Sequence, residues 1–229
     1  MPAPRPWTAP LRLAIFDLDN TLITDDSDHL WGEYLAERGV VDGDHYRAEN
    51  DRFLAEYKAG TLDIHEFLRF SLRVLADHEA GELQRLRAGF IEDKIAPIVA
   101  PGTPSLLARH RDAGDHLMII TATNSFVTGP IARMLGVDTL IATEPEWRDG
   151  GYTGSVTGIP CFREGKVQRL EQWLAGQGAS LEGSAFYSDS HNDLPLLERV
   201  ERPCAVDPDE ALAAAARERS WPVISLRDD

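Results

Sequence analysis

Asp17 and Asp19 stand where an apolar run, Leu11 to Phe16 broken by one Arg, ends in the stretch Ala14-Ile15-Phe16-Asp17-Leu18-Asp19-Asn20-Thr21-Leu22. The run reads as a short buried strand. Successive side chains of a strand alternate in direction, so Asp17 and Asp19 fall on one side and Leu18 on the other. Two carboxylates a few ångströms apart repel, and keeping both ionised calls for a cation or a shared proton. A hard, oxygen-seeking ion such as Mg²⁺ is the natural partner. Taken alone, Asp-x-Asp is equally the mark of an Asp-Asn turn after a strand.

Three further stretches add to the pair. Ile119-Ile120-Thr121-Ala122-Thr123-Asn124 is a second apolar strand that ends in hydroxyls. Lys166 follows Arg163-Glu164-Gly165 at the start of an expected helix. A lysine in a first turn opposes the helix dipole, so a ligand role explains it better than a surface one. Phe186-Tyr187-Ser188-Asp189-Ser190-His191-Asn192-Asp193 is a third strand that runs into acid. Ligands of open α/β sheets bind beyond the carboxyl ends of the strands, which is where these groups would meet. In chain order they give Asp-x-Asp-x-Thr, Thr, Lys and Asp-x-x-Asn-Asp. With these four motifs, spanning Asp17 to Asp193, the chain resembles the haloacid dehalogenase superfamily of phosphohydrolases, in its phosphoserine-phosphatase-like branch with a helical cap after the first motif.

The resemblance implies phosphoryl transfer through an aspartyl-phosphate, a route that splits one hard displacement into two easier ones. It implies that Asp17 is the nucleophile and that Asp19 protonates the leaving alkoxide, then deprotonates the attacking water. Mg²⁺ would be held by Asp17, Asp189 and the backbone carbonyl of Asp19. Thr121 and Lys166 would hold charge on the transferring phosphoryl group. Asp193 would orient Lys166 or a metal-bound water, unless it is only an acid in a first helical turn. Asn192 would donate to a phosphate oxygen or cap the following helix. His191 has no fixed role in the pattern and reads as a loop histidine near the rim.

Substrate choice is expected in Asp25-Asp26-Ser27-Asp28-His29, a dense run of acid beside a phosphate site. Asp26 lies where phosphoserine phosphatases carry an acid for the substrate amine. The other reading is a loop that caps the first helix through Ser27 or Asp28. Those phosphatases have Ser-Gly-Gly at the second motif, and this chain has Thr121-Ala122-Thr123-Asn124. The stretches at 25–31, 121–127 and 160–166 are instead similar to a bacterial subgroup that includes histidinol-phosphatases. The expectation is a Mg²⁺-dependent phosphomonoesterase for a small amino-bearing metabolite, histidinol phosphate ahead of phosphoserine. Lipid-phosphate processing and a non-catalytic phosphate-binding module are the readings of other classes.

The elements that must position these groups follow from periodicity. Between residues 28 and 95 apolar residues recur at helical spacing, as in Leu30, Trp31, Tyr34 and Leu35, with Gly39, Gly60 and Gly81 between the runs. This is a helical cap, inserted into an α/β core made of residues 11–27 and 96–229. The core reads as a Rossmann-like, mostly parallel sheet with helices on both faces. Arg148 to Tyr152 carries a turn signal for a hairpin that would lie over the site as a flap. Residues 1–10, with four prolines, read as a loose N-terminal arm and a poor signal peptide. A net charge of -15 argues against nucleic acid or an anionic membrane as partner. It does not argue against a phosphate substrate, because a metal and a lysine reverse the sign locally. No apolar run approaches the roughly 20 residues that span a bilayer. Cys161 and Cys204 have no metal-ligand spacing and fit a reducing cytoplasm, with Cys161 read as a small buried residue. Oligomeric state is left open, since apolar cap residues suit a core or a partner.

Overall fold

The computed structural model describes residues 11–228, so the expected N-terminal arm lies outside the described residues. Strand β1 (Leu13–Phe16) is followed by helices α1 (Ser27–Glu37), α2 (Gly43–Lys58), α3 (Ile64–Ser71), α4 (Arg73–Asp77) and α5 (Ala80–Phe90). Strand and helix then alternate: α6 (Thr103–Asp112), β2 (His116–Asn124), α7 (Ser125–Met134), β3 (Thr139–Arg148), β4 (Gly151–Thr157), α8 (Glu164–Gln177) and β5 (Ala185–Ser188). The chain ends with α9 (Leu194–Leu197), β6 (Arg202–Val206), α10 (Glu210–Arg219) and β7 (Val223–Ile224). Among the described residues the strands form one sheet in the order β4-β3-β2-β1-β5-β6-β7. Only β4 runs antiparallel to its neighbour.

Both faces of this sheet are covered, and β1 shows why its sequence is apolar throughout. Leu13 and Ile15 enter one buried cluster with Met118, Ile120 and Phe186, while Ala14 and Phe16 enter the other with Leu117, Ile119 and Tyr187. A strand buried on both sides reads as a continuous apolar run, as parallel sheets do. The connections lead from β1 to β2 and β3 on one side, and through β5 to β6 and β7 on the other. The order therefore reverses beside β1, and the crevice past its carboxyl end is where a ligand fits.

Helices α1 to α5 form a single excursion between β1 and β2, held by a neck. Thr24 donates to the carbonyl of Ile98 at 2.8 Å, Ala100 to that of Leu22 at 3.0 Å, and Ile23 bridges Val99 antiparallel. An aromatic cluster ties the excursion to the core. Trp31 of α1 lies with its ring centroid 5.2 Å from Phe90 and 5.9 Å from Phe126 of α7. These rings bury together, worth about 0.5–1.5 kcal/mol per pair beyond area alone.

The hairpin differs from its expected place. β3 runs on to Arg148 because it pairs with β4 across a turn at Asp149 and Gly150, both at positive φ (52° and 90°). Gly154 in β4 packs under the helical excursion, where an added Cβ would stand 3.4 Å from that of Ala76. The hairpin buttresses α4, and no residue of it lines the cavity described below. β2 likewise continues to Asn124, which regains its pairing with Thr143 after an irregularity at Ile120.

Candidate active site

The backbone past β1 is bent by local hydrogen bonds. Asp17 extends the ladder, its N–H donating to Tyr187 O at 2.8 Å. The N–H groups of Thr21, Leu22 and Ile23 then converge on Leu18 O at 3.3, 2.9 and 3.2 Å. That turn needs a left-handed residue, which Asn20 supplies at φ 56°. Asp17 and Asp19 are thereby presented at the end of the sheet, Asp17 only 3% exposed.

Each carboxylate has its own partners. Asp19 Oδ1 accepts from Ser27 N at 2.7 Å, and its Oδ2 accepts from Thr123 Oγ1 at 2.9 Å and Thr121 Oγ1 at 3.3 Å. Burial raises its pKa above the ordinary carboxylate value, against the hydrogen bonds of Ser27 and Thr123. Asp17 Oδ1 accepts from Lys166 Nζ at 2.9 Å. Burial, opposed by the Lys166 charge and aided by Asp193 and Asp19, pushes Asp17 up to about 7.

Lys166 is 2% exposed, so its placement in a first helical turn is not a surface feature. Its Nζ also donates to Asp193 at 2.8 Å, and Asp193 Oδ2 accepts from Ser188 Oγ at 2.7 Å. Burial alone would lower the Lys166 pKa, but Asp17 and Asp193 outweigh it and keep the ammonium charged. Gly165 admits the lysine, because a Cβ there would run into the Pro160 carbonyl. Asp189 accepts from Thr21 Oγ1 through Oδ1 at 3.1 Å. Burial, then Asp17 and Asp193, drive its pKa well above the ordinary value.

Four carboxylates, Asp17, Asp19, Asp189 and Asp193, thus surround one ammonium. Asp17 Oδ2 and Asp189 Oδ2 accept no hydrogen bond among the described residues. A buried excess of hard oxygen donors of this kind fits a small divalent cation that keeps part of its water shell.

Both ends of the Asn192 amide have protein partners. Its Oδ1 accepts from Arg163 Nε at 2.9 Å and its Nδ2 donates to Tyr57 O at 3.2 Å. It does not cap the helical turn that follows; Ser190 does, its hydroxyl accepting from Asn192 N at 3.2 Å. Arg163 donates further to Gly60 O at 2.6 Å. His191 is bound to Asp209 through Nδ1 at 2.6 Å, and its Nε2 faces Gly60. Cys161 is fully buried and its thiol is pushed up to about 12 by burial, which makes it inert.

A cavity of about 50 Å³ lies over Asp17 and Asp19, bounded by Thr121, Thr123 and the helical excursion. Asp26, Asp28, Phe53, Tyr57 and Phe67 line it from that side. The helix cap expected from Ser27 or Asp28 is instead Asp26, whose Oδ1 accepts from Asp28 N at 3.0 Å and His29 N at 2.8 Å. Its pKa is pushed up to about 7 by burial and then by Asp19, against those two bonds. Thr123, Arg163 and Tyr57 are site residues that sequence reasoning missed. Thr123 was within reach of it, since period-two spacing puts it on the same side of β2 as Thr121.

Residues 14–198 match the family model described as haloacid dehalogenase-like hydrolase. A histidinol-phosphatase of Neisseria meningitidis serogroup C (strain 8013) is 44% identical over 219 residues, 94% of this chain and 99% of that protein. A phosphoserine phosphatase of Mycobacterium tuberculosis is 32% identical over 223 residues, 93% of this chain and 70% of that protein. Among solved structures, a Bordetella pertussis protein of unknown function has a TM-score of 0.90 at 47% identity, covering 95% of this chain and 100% of that one. A substrate-bound phosphoserine phosphatase has a TM-score of 0.68 at 19% identity, covering 96% and 95%, and shares the fold.

Proposed function

Since the chain belongs to the haloacid dehalogenase-like hydrolases, we propose that it is a Mg²⁺-dependent phosphomonoesterase acting through an aspartyl-phosphate on a small amino-bearing metabolite, histidinol phosphate first and phosphoserine second. The observation that carries the reading is Lys166, an ammonium buried between Asp17 and Asp193 at 2.9 and 2.8 Å. A lysine so placed is a point charge for a transferring phosphoryl group, with Asp193 fixing its direction. Asp17, Asp189 and the backbone carbonyl of Asp19 would hold the ion, which when bound supplies positive charge at the phosphoryl oxygens.

In this mechanism an oxygen of Asp17 attacks phosphorus, and the ester P–O bond breaks. Asp19, held in place by Thr121, Thr123 and Ser27, gives its proton to the departing alkoxide. A carboxyl group whose pKa is raised by burial suits that first role. Asp19 then takes a proton from the water that attacks phosphorus and frees Asp17. Residues 28–95 act as a cap over the core of 11–27 and 96–229, and exclude bulk water from the intermediate. Asp26 accepts from the substrate amine through its uncommitted Oδ2. The 44% identity to a histidinol-phosphatase supports that substrate, and the acid-lined cavity suits its cationic amine. Two free, buried cysteines accord with a cytoplasmic enzyme.

The test is phosphate release from histidinol phosphate, phosphoserine, sugar phosphates and a lysophosphatidate, with Mg²⁺ and with EDTA, using Asp17→Asn as the blank. Preference for histidinol phosphate, lost with EDTA and in Asp17→Asn by roughly a thousandfold or more, is the expected result. No release from any ester by folded, Mg²⁺-loaded protein would remove the enzymatic reading.

A further inference from the structure

Asp28 is a buried carboxylate without a partner. It is 9% exposed and lines the cavity, yet among the described residues no donor or cation reaches either of its side-chain oxygens. Its charged neighbours are Asp26 and Asp19, and with burial they drive its pKa well above the ordinary value. The bland explanation, a helix cap, is unavailable because Asp26 already accepts from the N–H groups of Asp28 and His29. The start of α1 favours an acid, but a dipole at a helix end is weaker than the desolvation of an unpaired carboxylate. A group kept at such a cost to the fold is explained by a ligand that pairs with it.

The surroundings say which chemistry. Phe53 and Phe67, their ring centroids 5.4 Å apart at 69°, line the same cavity, as do Leu54, Leu62 and Ile64. Asp26 has one oxygen committed to the helix end, whereas both oxygens of Asp28 are free. The wall therefore offers carboxyl acceptors together with an apolar, partly aromatic lining, a combination that fits an aromatic ring carrying N–H donors.

We propose that Asp28, with Phe53 and Phe67, is a second recognition subsite that receives an N–H-bearing heteroaromatic ring of the substrate, apart from the amine contact of Asp26. This rests on the reading of the site as a phosphatase for an amino-bearing ester and names the rest of its substrate. The same acid offers no positive charge to a substrate that carries a carboxylate in the ring's place. It thereby ranks phosphoserine below histidinol phosphate.

The experiment compares kcat and KM for histidinol phosphate, O-phosphoethanolamine and O-phosphoserine in the wild type, Asp28→Asn and Asp28→Ser, the second variant guarding against misfolding of the first. Wild type is expected to favour histidinol phosphate over O-phosphoethanolamine, and each variant to lose roughly tenfold of that preference, mainly through KM. The preference over O-phosphoserine should narrow as well. Calorimetric titration of EDTA-treated protein with phosphate-free histidinol gives a readout independent of turnover, expected to weaken by roughly tenfold in both variants. Hydrolysis of the esters with both ratios unchanged in folded variants would overturn the subsite and leave the phosphatase standing. If no ester is hydrolysed, the phosphatase reading fails and the titration decides the subsite: weaker histidinol binding in the variants upholds it, equal binding overturns it.

Discussion

Asp17 and Lys166 are 149 residues apart in sequence and 2.9 Å apart in the fold. Their pairing is a buried one, in which the ammonium answers both Asp17 and Asp193. Removing one partner from such a group leaves charge without compensation, so Lys166→Met should destabilise the metal-free protein by about 3–5 kcal/mol in urea unfolding. Adding Asp193→Leu to Lys166→Met should recover part of that loss, since the remaining acid no longer needs an answer. A double variant no more stable than the single one would show that Asp193 is held mainly by Ser188. Asp26 gives a pH test. Its folded pKa of about 7 lies above the ordinary 3.8, so in that window the folded state keeps a proton that the unfolded state has released. Stability contributed by this group therefore falls as pH rises from 3.8 to about 7. Asp26→Asn keeps the capping oxygen and removes the titration, so its melting temperature should exceed that of wild type at pH 8 and converge with it near pH 4, measured in EDTA. Which residues carry charge was legible in the sequence because acids at strand ends are conspicuous. Arg163 was not, because its part depends on a backbone at φ 51° and on a carbonyl 103 residues away.

At the level of elements, α2 is fastened to the core by carbonyls of its last turn and of the turn that follows. Here Tyr57 O accepts from Asn192 and Gly60 O from Arg163, two side chains that adjoin the motifs of Asp189 and Lys166. Gly60 fits because it sits at φ 69° and because a Cβ there would meet His191 Nε2 at 2.9 Å. Tyr57 also lines the cavity over Asp17 and Asp19, so this fastening sets the wall of the site. Arg163→Ala should lower kcat/KM by roughly tenfold and speed amide hydrogen exchange over residues 57–62, while exchange in β1 stays as in wild type. Arg163→Gly should be the more stable of the two variants, since a non-glycine residue in that conformation costs about 1–3 kcal/mol. Equal exchange in wild type and Arg163→Ala would show that Arg163 does not hold the end of α2. Strand and helix identities were legible from period-two and helical spacing. The reach of β3 to Arg148 was not, because pairing with β4 and not its own pattern extends it.

For the whole molecule, charge is distributed against intuition. The chain carries a net -15, and four of its carboxylates lie at the buried centre with one lysine, yet the proposed substrate is an anion. A divalent ion bound at the proposed centre would resolve this locally, whereas the acidic surface only gathers cations loosely within a Debye length of about 10 Å at 0.1 M salt. The two effects are separable by stability. An ion that binds the folded state alone stabilises it by about 2.7 kcal/mol at a hundred times its dissociation constant, for a chain of this size roughly 5–10 °C in melting temperature. Mg²⁺ should therefore raise the melting temperature by that order, and NaCl of matched ionic strength by much less. Asp189→Asn removes one charge of the surplus but also one hard ligand from the centre. Surface screening predicts that this variant responds to Mg²⁺ almost as wild type does; a centre built from Asp17, Asp189 and the Asp19 carbonyl predicts that most of the response disappears. The variant alone, without metal, should melt no lower than wild type, because Asp189 is a buried acid whose ionised form the metal-free fold disfavours. Loss of the Mg²⁺ response together with unchanged or higher metal-free stability is an outcome that general unfolding cannot imitate.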